Sequence, residues 1–121
     1  MTARDKNTIK HILSYCIDVD DAINTFGDSC EIFESNIHYR NSVSMSIMQI
    51  GELVKNLSGE FRSNTNAQIP WKDVAGMRDH FAHGYATMNI QKIWNTALND
   101  IPSLKKFCEE QLEQYEIDSL T

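Results

Sequence analysis

The sequence predicts an all-α, up-and-down bundle of four main helices with short helical pieces between them. Three observations carry this prediction: apolar residues recur at helical spacing in nearly every segment, almost no segment alternates as a strand would, and Gly (5) and Pro (2) are scarce. A chain of 121 residues is close to the commonest size of one domain, and it contains no internal repeat and no low-complexity tract. We therefore expect residues 1–121 to form a single helical domain.

The first helix is expected to begin near the start of the chain and to end at Gly27-Asp28, because glycine commonly terminates helices. Thr2 and Asp5 have the spacing of a capping box, although that motif prefers Glu or Gln at its last position. A short helical piece is expected at residues 31–35. The apolar positions that predict the first helix are Ile9, Ile12, Leu13, Cys16, Ile23 and Phe26.

A second long helix is expected at residues 37–57, with Ser58-Gly59 as its end. Its apolar residues are spaced four and three apart in turn, which is typical of a packing seam between helices. Residues 61–69 are polar and are expected to form the one real loop of the chain. The seam residues are Val43, Ile47, Ile50, Val54 and Leu57.

A third helix is expected from Trp71 to about His83. Pro70 stands where this helix begins, since a missing N–H costs nothing there, and Gly84 is expected to end it. A fourth helical region is expected at residues 90–115, because one of its faces stays apolar on both sides of Pro102. We therefore expect a kink at Pro102 and not a break between two separate elements.

The charge of the chain excludes a general attraction for polyanions. Its 11 basic and 17 acidic residues give a net charge of −6, so any nucleic-acid site must be small and local. No apolar run approaches the ~18 residues of a membrane span, and the polar N-terminus has no apolar signal core, so we expect a cytoplasmic protein without membrane contact. Cys16, Cys30 and Cys108 lack a CxxC pair, which favours reduced, packed thiols over disulfides or a zinc site.

Residues 76–85 are the segment most suited to chemistry, because they place Arg, Asp, two His and Tyr at the end of an apolar-faced helix. Asp79 and His83 are four apart and share a helix face, so the carboxylate can orient the imidazole or raise its pKa. Arg78 and His83 are five apart, which is about 140° around a helix. Either the helix unwinds at His83-Gly84, or the site combines residues of two copies and this helix is a dimer interface.

This set of side chains is sufficient for cleavage of RNA without a metal. Histidine is suited to acid–base work near neutral pH, and arginine can stabilise a phosphate that gains charge. The 2′-OH would attack the neighbouring phosphate, which DNA cannot do because it lacks that hydroxyl. His80 and His83 are spaced like a metal pair, but no third ligand has suitable spacing. We therefore expect neither a metal nor a cofactor.

Two aromatic features have both a functional and a structural interpretation. Tyr39-Arg40 offers a small basic and aromatic spot that could touch RNA, and a salt bridge at the flank of a helix is the structural alternative. Trp71 and Trp94 are expected to be core aromatics and not platforms on which bases stack.

The segment at residues 78–85 has the form R-x4-H-x-Y and resembles the active-site motif of HEPN-domain ribonucleases, specifically of the HepT-like toxins. Arg78, His83 and Tyr85 occupy the motif positions. The resemblance covers roughly residues 4–115. The further segments that carry it are Tyr39-Arg40-Asn41, Ile50-Gly51-Glu52-Leu53, Ile69-Pro70-Trp71-Lys72, Met77-Arg78-Asp79, Ile93-Trp94 and Asp100-Ile101-Pro102-Ser103-Leu104.

The resemblance implies a homodimeric helical toxin of a type VII-like toxin–antitoxin system, which cleaves RNA without a metal. Arg78 and His83 would be the catalytic pair, and Asp79 would support the site. Tyr85 would be the residue to which an MNT-type nucleotidyltransferase antitoxin attaches AMP. The added phosphate beside the arginine and the histidine would then keep RNA out of the site.

Two alternatives stay open at the level of sequence. The chain could be a non-catalytic nucleotide-binding or regulatory partner that serves only as a substrate of the transferase at Tyr85. It could also be a plain helical dimerisation protein, in which Arg78, Asp79 and His83 form an ion-pair network at the interface.

Overall fold

The computed structural model describes residues 1–84 and 89–120, without the side chains of residues 82–84. Within these residues every regular element is helical, which confirms the predicted all-α class with its four long helices and shorter pieces. The elements are α1 (Ala3–Phe26), α2 (Cys30–Ser35), α3 (Ile37–Val54), α4 (Gly59–Thr65), α5 (Trp71–Gly84), α6 (Ile90–Asn95), a π-helical turn (Thr96–Asp100) and α7 (Ile101–Ser119).

The start of α1 is held by the predicted capping box. Thr2 Oγ1 accepts a hydrogen bond from the Asp5 backbone N–H (3.0 Å), and the Asp5 carboxylate accepts one from the Thr2 N–H (3.1 Å). The same buried carboxylate also accepts 2.7 Å hydrogen bonds from the backbone N–H and the hydroxyl of Ser58. Because Ser58 is the N-cap of α4, one side chain joins the beginnings of two helices.

The expected loop at residues 61–69 is wrong over its first half, because Gly59–Thr65 forms α4. Ser58 therefore begins a helix and does not merely end the one before it, since its hydroxyl accepts a hydrogen bond from the Phe61 N–H (3.2 Å). The short helix buries Phe61 and Thr65 and leaves its other residues in contact with solvent. So few apolar positions give no helical period that a sequence pattern could reveal.

The region at residues 90–115 is continuous through Pro102, as predicted, but its irregularity is a π-helical turn and lies before the proline. In that turn the Ile101 N–H donates to the carbonyl of Thr96, five residues back. A proline ring clashes with the carbonyl four residues before it in an α-helix, and the wider turn gives that carbonyl more room.

The long helices pack in an incomplete ring. α3 packs against α1 and α5, and α1 packs against α7, whereas contact between α5 and α7 is sparse among the described residues. One aromatic cluster joins α1, α2, α3 and α6, and a second joins α4, α5 and α7. The first consists of Phe26, Phe33, Tyr39 and Trp94, and the second of Phe61, Trp71 and Phe107.

The cysteines are not paired with one another, and two of them belong to the core. Burial raises the pKa of the Cys16 thiol to about 12 and also raises that of Cys108. Cys30 is half-buried, and its Sγ lies 3.7 Å from a carboxylate oxygen of Glu34. The described helices also include none with the combination of length and apolar character that crossing a bilayer demands.

Candidate active site

α5 carries the motif, and its first residue is anchored from two directions. The Trp71 indole N–H donates to Thr65 Oγ1 (2.8 Å) in the buried interior. Its ring lies 5.6 Å from that of Phe107 on α7, centroid to centroid. Further along α5, Phe81 is buried as well. The helix that carries Arg78 is therefore fixed on both sides of that residue.

α3 approaches α5 closely at Gly51, directly beside Arg78. A methyl group placed on Gly51 would lie 2.9 Å from Arg78 Cβ, 3.0 Å from the Arg78 backbone nitrogen and 3.1 Å from the Val74 carbonyl oxygen. The first distance is shorter than real Cβ atoms show and the other two are unusually tight, so a larger residue would force the helices apart. A glycine inside a helix lowers the stability of the protein by up to about 1 kcal/mol relative to alanine. The close contact between α3 and α5 explains why a glycine nevertheless stands at this position.

The guanidinium of Arg78 lies between two carboxylates. Its Nε is 3.3 Å from Glu52 Oε2 on α3, and its Nη1 is 3.3 Å from Asp79 Oδ1. Glu52 is also 3.5 Å from the ammonium of Lys55. Because the Arg78 side chain is 40% exposed, these pairs add little stability and serve mainly to orient the planar guanidinium.

The charges around Arg78 balance one another. Arg78 and Lys55 contribute two positive charges, and Glu52 and Asp79 contribute two negative ones. An incoming phosphate must therefore compete with carboxylates for the guanidinium. In an acidic chain this arrangement permits only a local and salt-sensitive attraction for a polyanion.

The backbone of α5 remains helical through Gly84, so the expectation that the helix could unwind at His83-Gly84 is wrong for those two residues. Positions 78 and 83 therefore lie about 140° apart on one continuous helix. The His83 side chain and the whole of Tyr85 lie outside the described residues. The predicted contact of Asp79 with His83 stays a prediction, and the contact that Asp79 makes within the described part is with Arg78.

The aromatic half of the possible RNA spot at Tyr39-Arg40 is not at the surface. Tyr39 is fully buried, and its hydroxyl donates to the Gly27 carbonyl (3.1 Å). Arg40 donates to the carbonyls of Phe33 and Glu34 at the end of α2, so it caps that helix, and it forms no salt bridge with any carboxylate in the described part of the chain. Trp71 and Trp94 are buried, as predicted.

Sequence reasoning gave no role to Glu52 and Gly51. Both belong to the segment Ile50-Gly51-Glu52-Leu53, and a glycine in the middle of an apolar helical seam was the available signal. His80 is exposed and lines a groove on the side of α5 away from Glu52. In the described part of the chain, no group of three His, Cys, Asp or Glu side chains is placed to hold a metal ion.

Comparisons with known proteins give the family. The sequence profile described as "Ribonuclease HepT-like" matches residues 9–111. Several relatives carry the name "Putative RNase", and two of them align over most of the chain. One, from Caldanaerobacter subterraneus subsp. tengcongensis, is 38% identical over 106 residues, 88% of this chain and 92% of that protein. The other, from Methanocaldococcus jannaschii, is 36% identical over 118 residues, 96% of this chain and 98% of that protein.

A protein of Thermococcus cleftensis named "Probable ribonuclease HepT" is 41% identical over 56 residues, 46% of this chain and 50% of that protein. No solved structure matches the chain at a significant level. The prediction of an RNA-cleaving enzyme is thereby confirmed at the level of the family. Since the profile spans most of the chain and near-complete relatives exceed 30% identity, the chain belongs to the HepT-like ribonuclease family.

Proposed function

We propose that this protein is the toxin of a toxin–antitoxin system and cleaves RNA without a metal, using Arg78 and His83. The observation that carries the proposal is the placement of Arg78. Close packing at Gly51 fixes its backbone, two carboxylates orient its guanidinium, and the side chain still reaches solvent. A preoriented, accessible guanidinium is the group that stabilises a phosphate as it gains charge.

In the proposed reaction the 2′-oxygen of RNA attacks the adjacent phosphorus while a general base removes the 2′ proton. The bond from phosphorus to the 5′-oxygen breaks, and a general acid protonates that oxygen. The products are a 2′,3′-cyclic phosphate and a free 5′-hydroxyl. His83 is the acid–base group, and Arg78 stabilises the extra negative charge on the phosphorane oxygens.

The continuity of α5 supports a site shared between two copies of the chain. Positions 78 and 83 are about 140° apart on one helix, so an Arg78 and a His83 that meet one phosphate are more readily supplied by two α5 helices across a two-fold axis. The proposed homodimer would bring these helices together. Two copies of Asp79, which is 64% exposed, would then flank the shared phosphate site.

Neutralisation by AMP at Tyr85 is the second part of the proposal. An MNT-type nucleotidyltransferase antitoxin is the proposed partner, and the tyrosine follows Gly84 directly. A phosphodiester on that residue brings negative charge to the same end of α5 as Arg78. The modification would therefore compete with RNA for the guanidinium and add bulk at the site.

The test is an RNA-cleavage assay in EDTA with protein whose unmodified Tyr85 has been verified by mass spectrometry. Native protein should cleave, whereas His83→Ala and Arg78→Ala should each lower the rate by at least about 100-fold, as loss of an acid–base or charge-stabilising group does. Lys10→Ala, at an exposed position on α1, is the matched control and should retain native activity. A folded His83→Ala protein that cleaves at the native rate would refute the proposal.

The non-catalytic alternative has one observation in its favour, namely that Glu52 and Asp79 already offset the charge of Arg78. In that case the chain is only the substrate of the transferase. Clean protein would then leave RNA intact in every variant, and the transferase with ATP would still modify Tyr85 but not Tyr85→Phe.

A further inference from the structure

A groove of about 840 Å³ lies where the described parts of α5 and α7 make few contacts. α5 forms one wall of the groove, and α6, the π-helical turn and α7 form the other. This volume lies within the range of pockets that bind small organic groups. The groove has an apolar floor and a polar rim. The floor consists of Ile69, Met77, Phe81, Ile93, Ile101 and Leu104.

The rim of the groove carries charges of both signs. Lys72 on α5 and Lys92 on α6 are exposed at opposite walls, and neither forms an ion pair with a carboxylate in the described part of the chain. Asp73 and Asp100 are exposed at the same rim. Asp100 occupies the N-cap position of α7, yet its carboxylate makes no capping hydrogen bond. Among residues 1–84 and 89–120 no hydrogen bond or salt bridge to its carboxylate oxygens is formed, so these oxygens are available to a ligand.

The position of Asp100 depends on the π-helical turn. Thr96 and Asp100 are the first and last residues of that turn, and both line the groove. A π turn is less stable than an α turn and recurs at functional sites, because it moves side chains that a regular helix would place elsewhere. The steric effect of Pro102 explains the π-helical turn. This turn places the Asp100 carboxylate at the rim of the groove.

The groove and Arg78 share one helix. Gly76, Met77 and His80 line the groove and are within two residues of Arg78 along α5. At about 1.5 Å of axial rise per residue, the groove and the guanidinium lie at the same level of the helix, on different sides of a cylinder about 10 Å wide. A flexible strand bound at Arg78 therefore reaches the groove by curving around α5, over about the width of the helix.

We propose that this groove binds a base of the substrate RNA beside the cleaved phosphate and selects bases that carry an exocyclic amino group. The inference rests on the proposed ribonuclease function. The apolar floor contacts the face of the base, and Lys72 and Lys92 bind the flanking phosphates. A carboxylate only accepts hydrogen bonds, so Asp100 favours the amino groups of adenine, cytosine or guanine. It disfavours uracil, because the one N3–H donor of that base lies between two carbonyl oxygens that repel a carboxylate.

The test uses unmodified full-length protein, a random-sequence RNA pool and sequencing of the fragment ends. In the fragments that native protein produces, uracil should be about tenfold less frequent than in the pool at one position next to the cleaved bond. Asp100→Asn, which replaces one acceptor oxygen by a donor, should abolish the depletion. Asp21→Asn, an exposed change on α1, is the matched control and should keep it. Uracil accepted equally by native protein, or still depleted by Asp100→Asn, would overturn the inference.

A second variant separates phosphate binding from chemistry. Lys92→Ala should raise KM about tenfold and leave kcat near the native value, because the lost contact is made equally in substrate and transition state. Lys10→Ala is again the control. A KM for Lys92→Ala equal to that of the control contradicts the proposal. So does a Lys92→Ala protein that binds RNA normally but no longer binds its antitoxin, since the groove would then be a protein-docking site.

Failure of the ribonuclease proposal can be told apart from failure of this one. If native protein cleaves no RNA, binding is measured with non-cleavable 2′-O-methyl oligonucleotides of adenine, cytosine or uracil. Tighter binding of adenine and cytosine, made equal by Asp100→Asn, retains the groove as a base site without cleavage. Equal binding of all three by native protein overturns it.

Discussion

The two sides of α5 differ in how they meet the rest of the molecule. Toward α3 the helix is in backbone contact, because Gly51 offers no side chain and Arg78 lies directly against it. Toward α7 the same helix borders a groove of about 840 Å³. The closed side fixes where the arginine stands, and the open side leaves room beside it for a ligand. Rigidity and access are thus provided by opposite faces of one helix.

The largest effect on stability is expected from adding a side chain at Gly51, where α3 and α5 are in contact. Gly51→Ala should destabilise the protein by about 1–3 kcal/mol, because the added methyl meets backbone atoms that cannot rotate away. Gly76→Ala on α5 is the matched control, since a methyl there meets nothing within 4 Å, and it should stabilise by about 0.5–1 kcal/mol. Urea denaturation of both variants measures the contrast. Equal effects would show that the helices are not in close contact at Gly51.

Loss of the anchor of α5 should have the next largest effect. Thr65→Val keeps the shape of the side chain but removes the oxygen that accepts from the buried Trp71 indole, at a cost of about 1–3 kcal/mol. Ser63→Ala, on the exposed face of the same short helix, should change stability by less than about 0.5 kcal/mol. Thermal unfolding compares the two. A Thr65→Val protein as stable as Ser63→Ala would show that the indole N–H finds another partner.

A pH-dependent effect is expected where α1 meets α4. Desolvation raises the pKa of Asp5, but hydrogen bonds from Ser58 and Thr2 outweigh it and hold the folded pKa below its usual value of 3.8. The ionised carboxylate therefore stabilises the fold above pH ~3.8, and that contribution is lost as the pH falls through 3.8 toward the folded pKa. Asp5→Asn should cost about 1–2 kcal/mol at neutral pH and less near pH 3.

The matched control for that prediction is Asp21→Asn, an exposed change on the same helix. Stability from urea denaturation at the two pH values gives the comparison. If the difference between Asp5→Asn and Asp21→Asn were the same at both pH values, the Asp5 carboxylate would not be the group that titrates.

The smallest effect on stability is expected from Glu52, which lies at the surface where α3 meets α5. Glu52→Gln should change the unfolding free energy by less than about 0.5 kcal/mol, because its pair with Arg78 is half-exposed. It should nevertheless lower kcat for RNA cleavage several-fold, since the guanidinium loses one of the groups that orient it. Lys55→Ala removes the other partner of Glu52 and should leave kcat near native. A native kcat in Glu52→Gln would show that Glu52 does not orient Arg78 for catalysis.

Local patterns predicted most of the architecture. The apolar periods of α1 and α3, the capping box at Thr2 and the limits of α5 all follow from short-range rules, because helices bond within themselves. The same rules did not predict α4, because only Phe61 and Thr65 of its residues are buried. Prediction therefore failed where a helix is too short to show its own period.

The sequence by itself determined the family motif, the all-α class and the helix on which Arg78 and Asp79 lie, because these depend on residue type and spacing along one chain. Only the tertiary structure decided that Gly51 stands against Arg78, that Glu52 orients it and that Tyr39 is buried. It also decided that, among the described residues, a groove separates α5 from α7 over much of their length. These are distances between helices, which depend on how whole faces pack and which no local spacing encodes.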